Sequence, residues 1–228
     1  MNRSFLRLAI SLMVASLIVL GILLPIHLVG FNLGFYRSQW ERLGVTADTG
    51  MTMEDLGRSA STLLQYFTGK AETPQLTVTV NGQERPLYNP KEMTHLADVK
   101  TLFNYGFMLE QVLAAEVLGL GLFLRKARES RALSRSLSLA GGILLGALLT
   151  LIVAARTNFT GFWTNFHLLT FTNDLWLLDP ATDWLVRIYP EGFFLAAVER
   201  VGIIASGISL LYLVSGLLVR HFAADNRH

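Results

Sequence analysis

Two histidines carry most of the acid–base chemistry this sequence offers near neutral pH. His95 stands in EMTHLADVK (92–100). His167 stands at the head of FHLLTFTNDLWLLDPATDWLVRIYPEGFF (166–194). Asp98 follows His95 by three residues, so on a helix the carboxylate shares a face with the imidazole and lies within its reach. A carboxylate in that position fixes a histidine tautomer and raises its basicity. The same spacing also describes an ordinary surface histidine with a helical neighbour. Asp174 lies close behind His167 and could orient it in the same way. Cysteine is absent, which removes thiolate nucleophiles, cysteine metal sites and disulfides together. No H-E-x-x-H or comparable ligand spacing occurs. His27, next to Pro25 in an apolar run, reads as a packed or snorkelling histidine. Glu110 and Glu116 lie in another apolar run, where carboxylates are costly and are functional candidates by default; an ion pair or a protonated carboxyl is the plainer alternative. Six residues apart, they stand about 240° around a helix and do not share a face. Arg156 is a plausible partner for Glu110.

The elements that must position these groups belong to a membrane protein. The 228 residues carry a net charge of +2 and few ionisable groups, and their mean hydropathy is +0.44. Four apolar runs are long enough for a hydrocarbon core, which takes about 20 helical residues. They are Leu8–Val29, Leu102–Leu124, Ser136–Ala155 and Val201–Val219. The first follows MNRSFLR but is too long for a signal-peptide core and lacks a small-x-small cleavage site, so it reads as a retained anchor. Arg3 and Arg7 precede it. Arg125, Lys126, Arg128, Arg131 and Arg135 crowd the loop 125–135 against Glu129 alone, and Arg220 and Arg227 follow the last run. In a four-span topology all three segments fall on one side, which the positive-inside rule makes cytoplasmic. Segments 30–101 and 156–200 then face outward, and all four Trp lie in them. Gly142-x-x-x-Gly146 permits close helix approach.

The outer segments have local signals of their own. Phe31 to Trp40 is aromatic and reads as interfacial. Thr52 to Phe67 reads as an amphipathic helix, with Thr52 as cap, Glu54 and Asp55 in the first turn, and Gly69 at its end. Alternation at Leu76, Val78 and Val80 before Asn81-Gly82 predicts a hairpin. Asn89-Pro90-Lys91-Glu92 is a helix start that runs into the second span without a breaker. His95 is therefore expected about 10 Å above the apolar run, at the outer interface. Asn158 to Phe194 lies between the third and fourth runs and holds three Trp, His167, Asp174, Asp179 and Asp183. It reads as an interfacial platform, with a short helix starting at Asp179-Pro180 and ending before Pro190. Asp179 is its expected cap and Asp183 its first-turn acid. The fold class expected is an α-helical integral membrane protein, a four-span bundle with a small α/β extracytoplasmic domain after the first span. Topology brings His95 and His167 to the same side at similar depth.

The stretch 166–194, EMTHLADVK and the four-span layout together resemble the Lit family, the bacterial lipoprotein intramolecular transacylases. The resemblance covers essentially the whole chain. It implies that His95 and His167 are the catalytic pair and that the chain is a multi-pass protein of the bacterial cell membrane. The reaction implied moves the sn-2 acyl chain of an S-diacylglyceryl cysteine to that cysteine's α-amine, giving lyso-form lipoprotein. The partners implied are diacylated bacterial lipoproteins and membrane lipid; no cofactor, metal or nucleic acid is implied. One histidine would deprotonate the amine and the other would serve the leaving oxygen or the oxyanion, with the order open. Asp98 and Asp174 are candidates to orient the histidines, and Asn173, Tyr105 and Arg156 to polarise the ester carbonyl. Two rivals stand beside this reading: a metal-dependent membrane hydrolase, and a membrane sensor or assembly factor without catalysis. The second turns on whether the two histidines meet.

Overall fold

The computed structural model describes residues 2–225; Arg227, one of the basic residues used for orientation, lies outside them. The chain runs through α1 (Arg3–Gly30), α2 (Leu33–Leu43), α3 (Val45–Thr49), α4 (Met53–Phe67), β1 (Thr77–Val80), β2 (Gln83–Pro86), α5 (Pro90–Lys126), α6 (Ser130–Thr157), α7 (Phe159–Thr170), α8 (Trp184–Ile188) and α9 (Glu191–Asp225). Four of these helices, α1, α5, α6 and α9, are long and apolar enough to cross a membrane. At 1.5 Å per residue even the shortest spans about 42 Å, beyond the roughly 30 Å hydrocarbon core.

The chain divides into two compact units. The first, here the span unit, comprises residues up to His27, Phe107–Val153 and residues from Glu199 onward. Small residues let its helices close. A Cβ added at Gly141 of α6 would lie 2.7 Å from the Ser209 carbonyl oxygen of α9, and one at Gly216 would lie 2.9 Å from the Ser134 carbonyl oxygen. The serines seal these crossings: Ser209 donates to the Gly141 carbonyl at 2.5 Å and Ser134 to the Gly216 carbonyl at 2.7 Å. The expected Gly142-x-x-x-Gly146 contact is not there, since a Cβ at either glycine would meet nothing within 4 Å. One residue is 100° of helix, and the crossing uses the neighbouring face.

Polar pairs join α1 to α5 within this unit. His27 Nδ1 and Glu110 Oε2 are 2.5 Å apart, and the imidazole stacks on Phe107 with ring centroids 4.2 Å apart. Ser16 donates to Glu116 Oε2 at 2.8 Å. His27 is therefore more than a packed histidine: it pairs with Glu110, a partner that the sequence did not suggest. Both glutamates reach α1 although they share no face of α5, because long side chains can swing inward from either flank of a contact.

The second, the site unit, comprises Leu28–Gly106 and Ala154–Val198. Its core gathers Tyr36 and Trp40 of α2, Leu56, Ala60 and Leu63 of α4, Val78 of β1, and Trp184, Ile188 and Phe193. Trp40 is 1% exposed, and its indole N–H donates to the Ile188 carbonyl at 3.0 Å. Within the stretch Phe31–Trp40, Tyr36 and Trp40 are buried in this protein core and Leu33 stays exposed. Trp184 is buried as well, with the Arg85 and Arg187 guanidinium groups 4.6 and 4.3 Å from its ring. Such cation–π contacts give an aromatic ring a polar boundary without lipid.

Local signals explain the smaller elements. Thr52 accepts from the Asp55 amide at 3.0 Å and starts α4, a cap worth about 1 kcal/mol. Asn81 (φ 50°) and Gly82 (φ 81°) turn the hairpin, with Val80 opposite Gln83. Both turn residues need positive φ, which Asn and Gly tolerate best. Val78 points inward, and the 83–86 strand is exposed throughout.

Candidate functional site

Residues Asn89 to Glu92 set the pitch of the helix that carries His95. The Asn89 side chain accepts from the Glu92 amide at 3.0 Å, and Glu92 Oε2 accepts from the Asn89 amide at 2.8 Å. This is a reciprocal capping box, and Pro90 occupies the first helical position, where no N–H is needed. Glu92 has a further role that local sequence could not reveal. It is fully buried, and its Oε1 accepts from the Leu185 amide at 2.5 Å, at the start of α8. Burial pushes the Glu92 carboxyl up, against the pull of its backbone N–H donors.

His167 arrives on α7. The sequence suggested an interfacial loop here; the structure has a twelve-residue helix capped by Asn158, whose side chain accepts from the Gly161 amide at 3.0 Å. Its signal was the cap followed by FTGFWTNFHLLT. Residues 171–183 then run without helix or strand, tied to the first turns of α5 and the residue before it. The helix expected at Asp179-Pro180 begins only at Trp184. Asp179 instead closes a turn, its Oδ1 accepting from the Ala181 amide at 2.8 Å. Asp183 occupies the position before α8 as a buried carboxylate. It accepts from Asn89 Nδ2 and from the Asp179 amide, each at 2.7 Å. Burial pushes Asp183 up, but these donors outweigh it and hold the carboxyl below its usual range.

The two imidazoles meet. Their ring centroids are 6.2 Å apart and tilted by 34°. His95 is 6% exposed and His167 is 7% exposed. Phe171 touches both, at 5.2 Å from His95 and 5.7 Å from His167. Trp176 stacks on His167 with centroids 4.8 Å apart and planes 24° apart, while Trp163 packs edge-on at 4.8 Å. Sequence reasoning did not single out these aromatic walls, because they are recruited by folding and not by spacing.

The polar contacts of the pair are sparse and informative. His167 Nδ1 lies 2.8 Å from the Trp163 carbonyl oxygen. A carbonyl only accepts, so Nδ1 carries the proton and Nε2 keeps its lone pair. Among the described residues, His95 Nδ1 is buried with no hydrogen-bond partner, and so is Trp176 Nε1. Both imidazoles resist protonation. Burial drives His95 down to about 4, helped by the neighbouring His167 and by Lys91 and opposed by Asp98. This histidine stands on α5 before the apolar run that begins at Leu102. Burial likewise lowers His167, against the upward pull of the Trp163 carbonyl.

The supporting candidates divide. Asp98 and Asn173 come together: Asn173 Nδ2 donates to Asp98 Oδ2 at 2.9 Å, and Asn173 Oδ1 accepts from the Leu175 amide at 3.1 Å. Asp98 thus fastens the 171–183 segment, and among the described residues no hydrogen bond joins it to His95; its influence on the imidazole is through space. Lys91 Nζ donates to the Leu177 carbonyl, a second tie on the same segment. Asp174 is exposed, and its backbone carbonyl accepts from the Leu177 amide at 3.1 Å. Tyr105 is 64% exposed, ten residues beyond His95 and so about 15 Å along α5. Arg156 is exposed in the last turn of α6. Among the described residues, no group of three or more His, Asp or Glu side chains is arranged to hold a metal ion.

Known proteins agree with this architecture. The chain is similar over 98–99% of its length to three structures of the membrane-integral lipoprotein intramolecular transacylase Lit from Bacillus cereus. One superposes with a TM-score of 0.81 at 21% identity and covers 99% of that chain. Two variants of the same protein, with a histidine changed to arginine or to alanine, superpose at 0.75 and 20% identity, covering 94% and 96% of those chains. At such identity the likeness concerns the fold. No curated protein matches the sequence. The family profile described as lipoprotein intramolecular transacylase Lit matches residues 11–194, a stretch that contains both histidines. This multi-pass membrane protein therefore belongs to the Lit family of lipoprotein intramolecular transacylases.

Proposed function

We propose that the enzyme moves the sn-2 acyl chain of a lipoprotein's S-diacylglyceryl cysteine to the α-amine of the same cysteine, with His95 and His167 as its acid–base pair. The observation that carries this reading is the meeting of the two imidazoles inside an apolar, aromatic enclosure. The substrate brings both nucleophile and ester, so no serine or cysteine of the enzyme is required. An α-amine has a reference pKa of about 7.7–8.0 and is mostly protonated at neutral pH, so it needs a base before it can attack. Holding amine and ester together supplies much of the rate, because the reaction is then intramolecular in effect.

The tautomer of His167 supports its role as the base. Its Nε2 lone pair takes a proton from the amine as nitrogen bonds to the ester carbonyl carbon. Collapse of the tetrahedral adduct breaks the bond to the sn-2 oxygen, which leaves with a proton from the imidazole pair. Counted from the neutral amine, one proton is lost by nitrogen and one gained by oxygen, so the pair ends as it began. His95 is held as the neutral imidazole, so the proton that reaches the sn-2 oxygen is the one His167 took from the amine, passed on directly or through His95. The site faces outward in this reading, with Lys- and Arg-rich segments and both termini in the cytoplasm. Asp98 acts here on the 171–183 segment, and Asp174, Tyr105 and Arg156 have no assigned part.

The test is the acylation state of one reporter lipoprotein, read by mass spectrometry after expression with this enzyme. Wild type should yield N-acyl, S-monoacylglyceryl cysteine; His95→Ala and His167→Ala should leave the diacyl form. Conversion at the wild-type level by both variants would overturn the proposal. Activity that survives chelation separates it from a metal-dependent hydrolase.

A further inference from the structure

We propose that the indole N–H of Trp176 is the hydrogen-bond donor that stabilises the oxyanion of the tetrahedral adduct. This inference rests on the two-histidine reading above. Acyl transfer puts negative charge on the former carbonyl oxygen, and a fixed donor aimed at that position is commonly a large contribution to catalysis. Two of the side chains that suggested themselves from sequence are poorly placed for the role. Asn173 is tied to the segment's anchorage, with one Nδ2 N–H donated to Asp98 and its Oδ1 accepting from the Leu175 amide. Tyr105 is too far along α5, about 15 Å from His95.

Trp176 has the donor and the place. Its Nε1 is buried and donates to nothing. An indole N–H can only donate, and a donor left unpaired in a closed site calls for an explanation. Trp40 shows what a purely structural tryptophan does in this fold: its N–H is equally buried and is satisfied by the Ile188 carbonyl at 3.0 Å. Trp176 lies nearly parallel to His167, with centroids 4.8 Å apart. The indole therefore lies face to face with the imidazole whose Nε2 is the free base. In the proposed adduct the carbonyl carbon attacked beside Nε2 turns its oxygen toward the indole N–H.

The segment around Trp176 is tied down on both sides, by Asn173 to Asp98 and by the Leu177 carbonyl to Lys91. The donor is thus held before the charge appears, which is the condition for it to help the transition state more than the ground state. In the step itself the amine nitrogen bonds to the carbonyl carbon and the π pair moves to oxygen. The indole N–H donates to that oxygen without transferring its proton. Re-forming the carbonyl expels the sn-2 oxygen.

The test replaces Trp176 by 3-benzothienylalanine, which keeps the bicyclic shape and puts sulfur where the N–H stands. Conversion of a purified diacyl lipoprotein should show kcat lowered about 10²–10³-fold, with KM changed less than about threefold because ground-state binding is untouched. The melting temperature should be unchanged. Trp176→Phe should lose at least as much kcat. A benzothienyl enzyme with wild-type kcat would overturn the proposal, as would a loss confined to KM or to stability. His95→Ala and His167→Ala in the same assay separate the two readings. If both stay active, the two-histidine reading fails and this one with it. If both are dead while the benzothienyl enzyme is fully active, only the role of Trp176 is lost.

Discussion

The span unit and the site unit differ in how completely they pair their buried polar groups. In the span unit Glu110 is matched by His27, Glu116 by Ser16, and the serines of α6 and α9 by carbonyls across the crossings. In the site unit His95 Nδ1 and Trp176 Nε1 are left without partners. The Tyr88 hydroxyl, in the aromatic core, is a further buried orphan among the described residues. A carboxylate inside an apolar run is the more conspicuous feature in sequence, yet here such carboxylates join helices. Of the groups assigned to the reaction, His95 and Trp176 are among those that folding leaves unsatisfied. Leaving a buried polar group unpaired costs about 1–3 kcal/mol, a cost a membrane bundle avoids and an enzyme site can carry.

The largest contrast to test is between histidines. His95→Ala or His167→Ala should lower conversion by two orders of magnitude or more, since general acid–base groups contribute about 10²–10⁴-fold. His27→Ala should leave turnover per folded molecule unchanged; equal losses in all three variants would erase the distinction between the units.

Next comes pH. His95 has its folded pKa depressed to about 4 from an ordinary 6.5. Between those values the unfolded chain binds a proton that the folded chain does not. The stabilising contribution of the neutral imidazole is therefore complete above about pH 6.5 and is lost as pH falls toward 4. From this shift alone the loss approaches about 3 kcal/mol. Thermal denaturation of detergent-solubilised protein across this window should show a shallower fall for His95→Gln than for wild type. Parallel curves would mean His95 is not buried neutral.

Glu110→Ala should cost about 0.6–1.7 kcal/mol, the range for hydrogen bonds between membrane helices, with kcat unchanged in the folded fraction. A drop in kcat would make the His27–Glu110 pair part of the chemistry. Asp98→Asn should have the smallest effect, under about tenfold in kcat by the scale of one modest hydrogen bond, because an amide oxygen still accepts from Asn173. A loss as deep as that of the histidine variants would assign the Asp98 charge to His95 directly.

Much of the scaffold was legible where the signal was local. Thr52, Asn81-Gly82 and Asn89-Pro90-Lys91-Glu92 each state a cap or turn within four residues, and each forms as read. The convergence of His95 and His167 also followed, from topology and helix rise. What stayed hidden depends on partners distant in sequence. Trp40 is aromatic whether lipid or protein surrounds it, and only the fold supplies Ile188. Gly141 and Gly142 are indistinguishable until the facing helix is known. Asp183 became a buried acceptor because Asn89 arrives beside it. Nothing in the sequence signalled Trp176 as more than an interfacial aromatic, since an unpaired donor is a property of surroundings.

The carbonyl that fixes His167 belongs to the main chain of Trp163. In many histidine sites that partner is a carboxylate, which a single codon change can remove. Here any residue at 163 that keeps α7 helical presents the same oxygen. A survey of side-chain substitutions would therefore count two essential histidines and find no third member, although a third is present. A substitution at 163 removes the ring that packs edge-on against His167 but keeps the carbonyl, and only a change that unwinds the helix would expose the dependence on that oxygen.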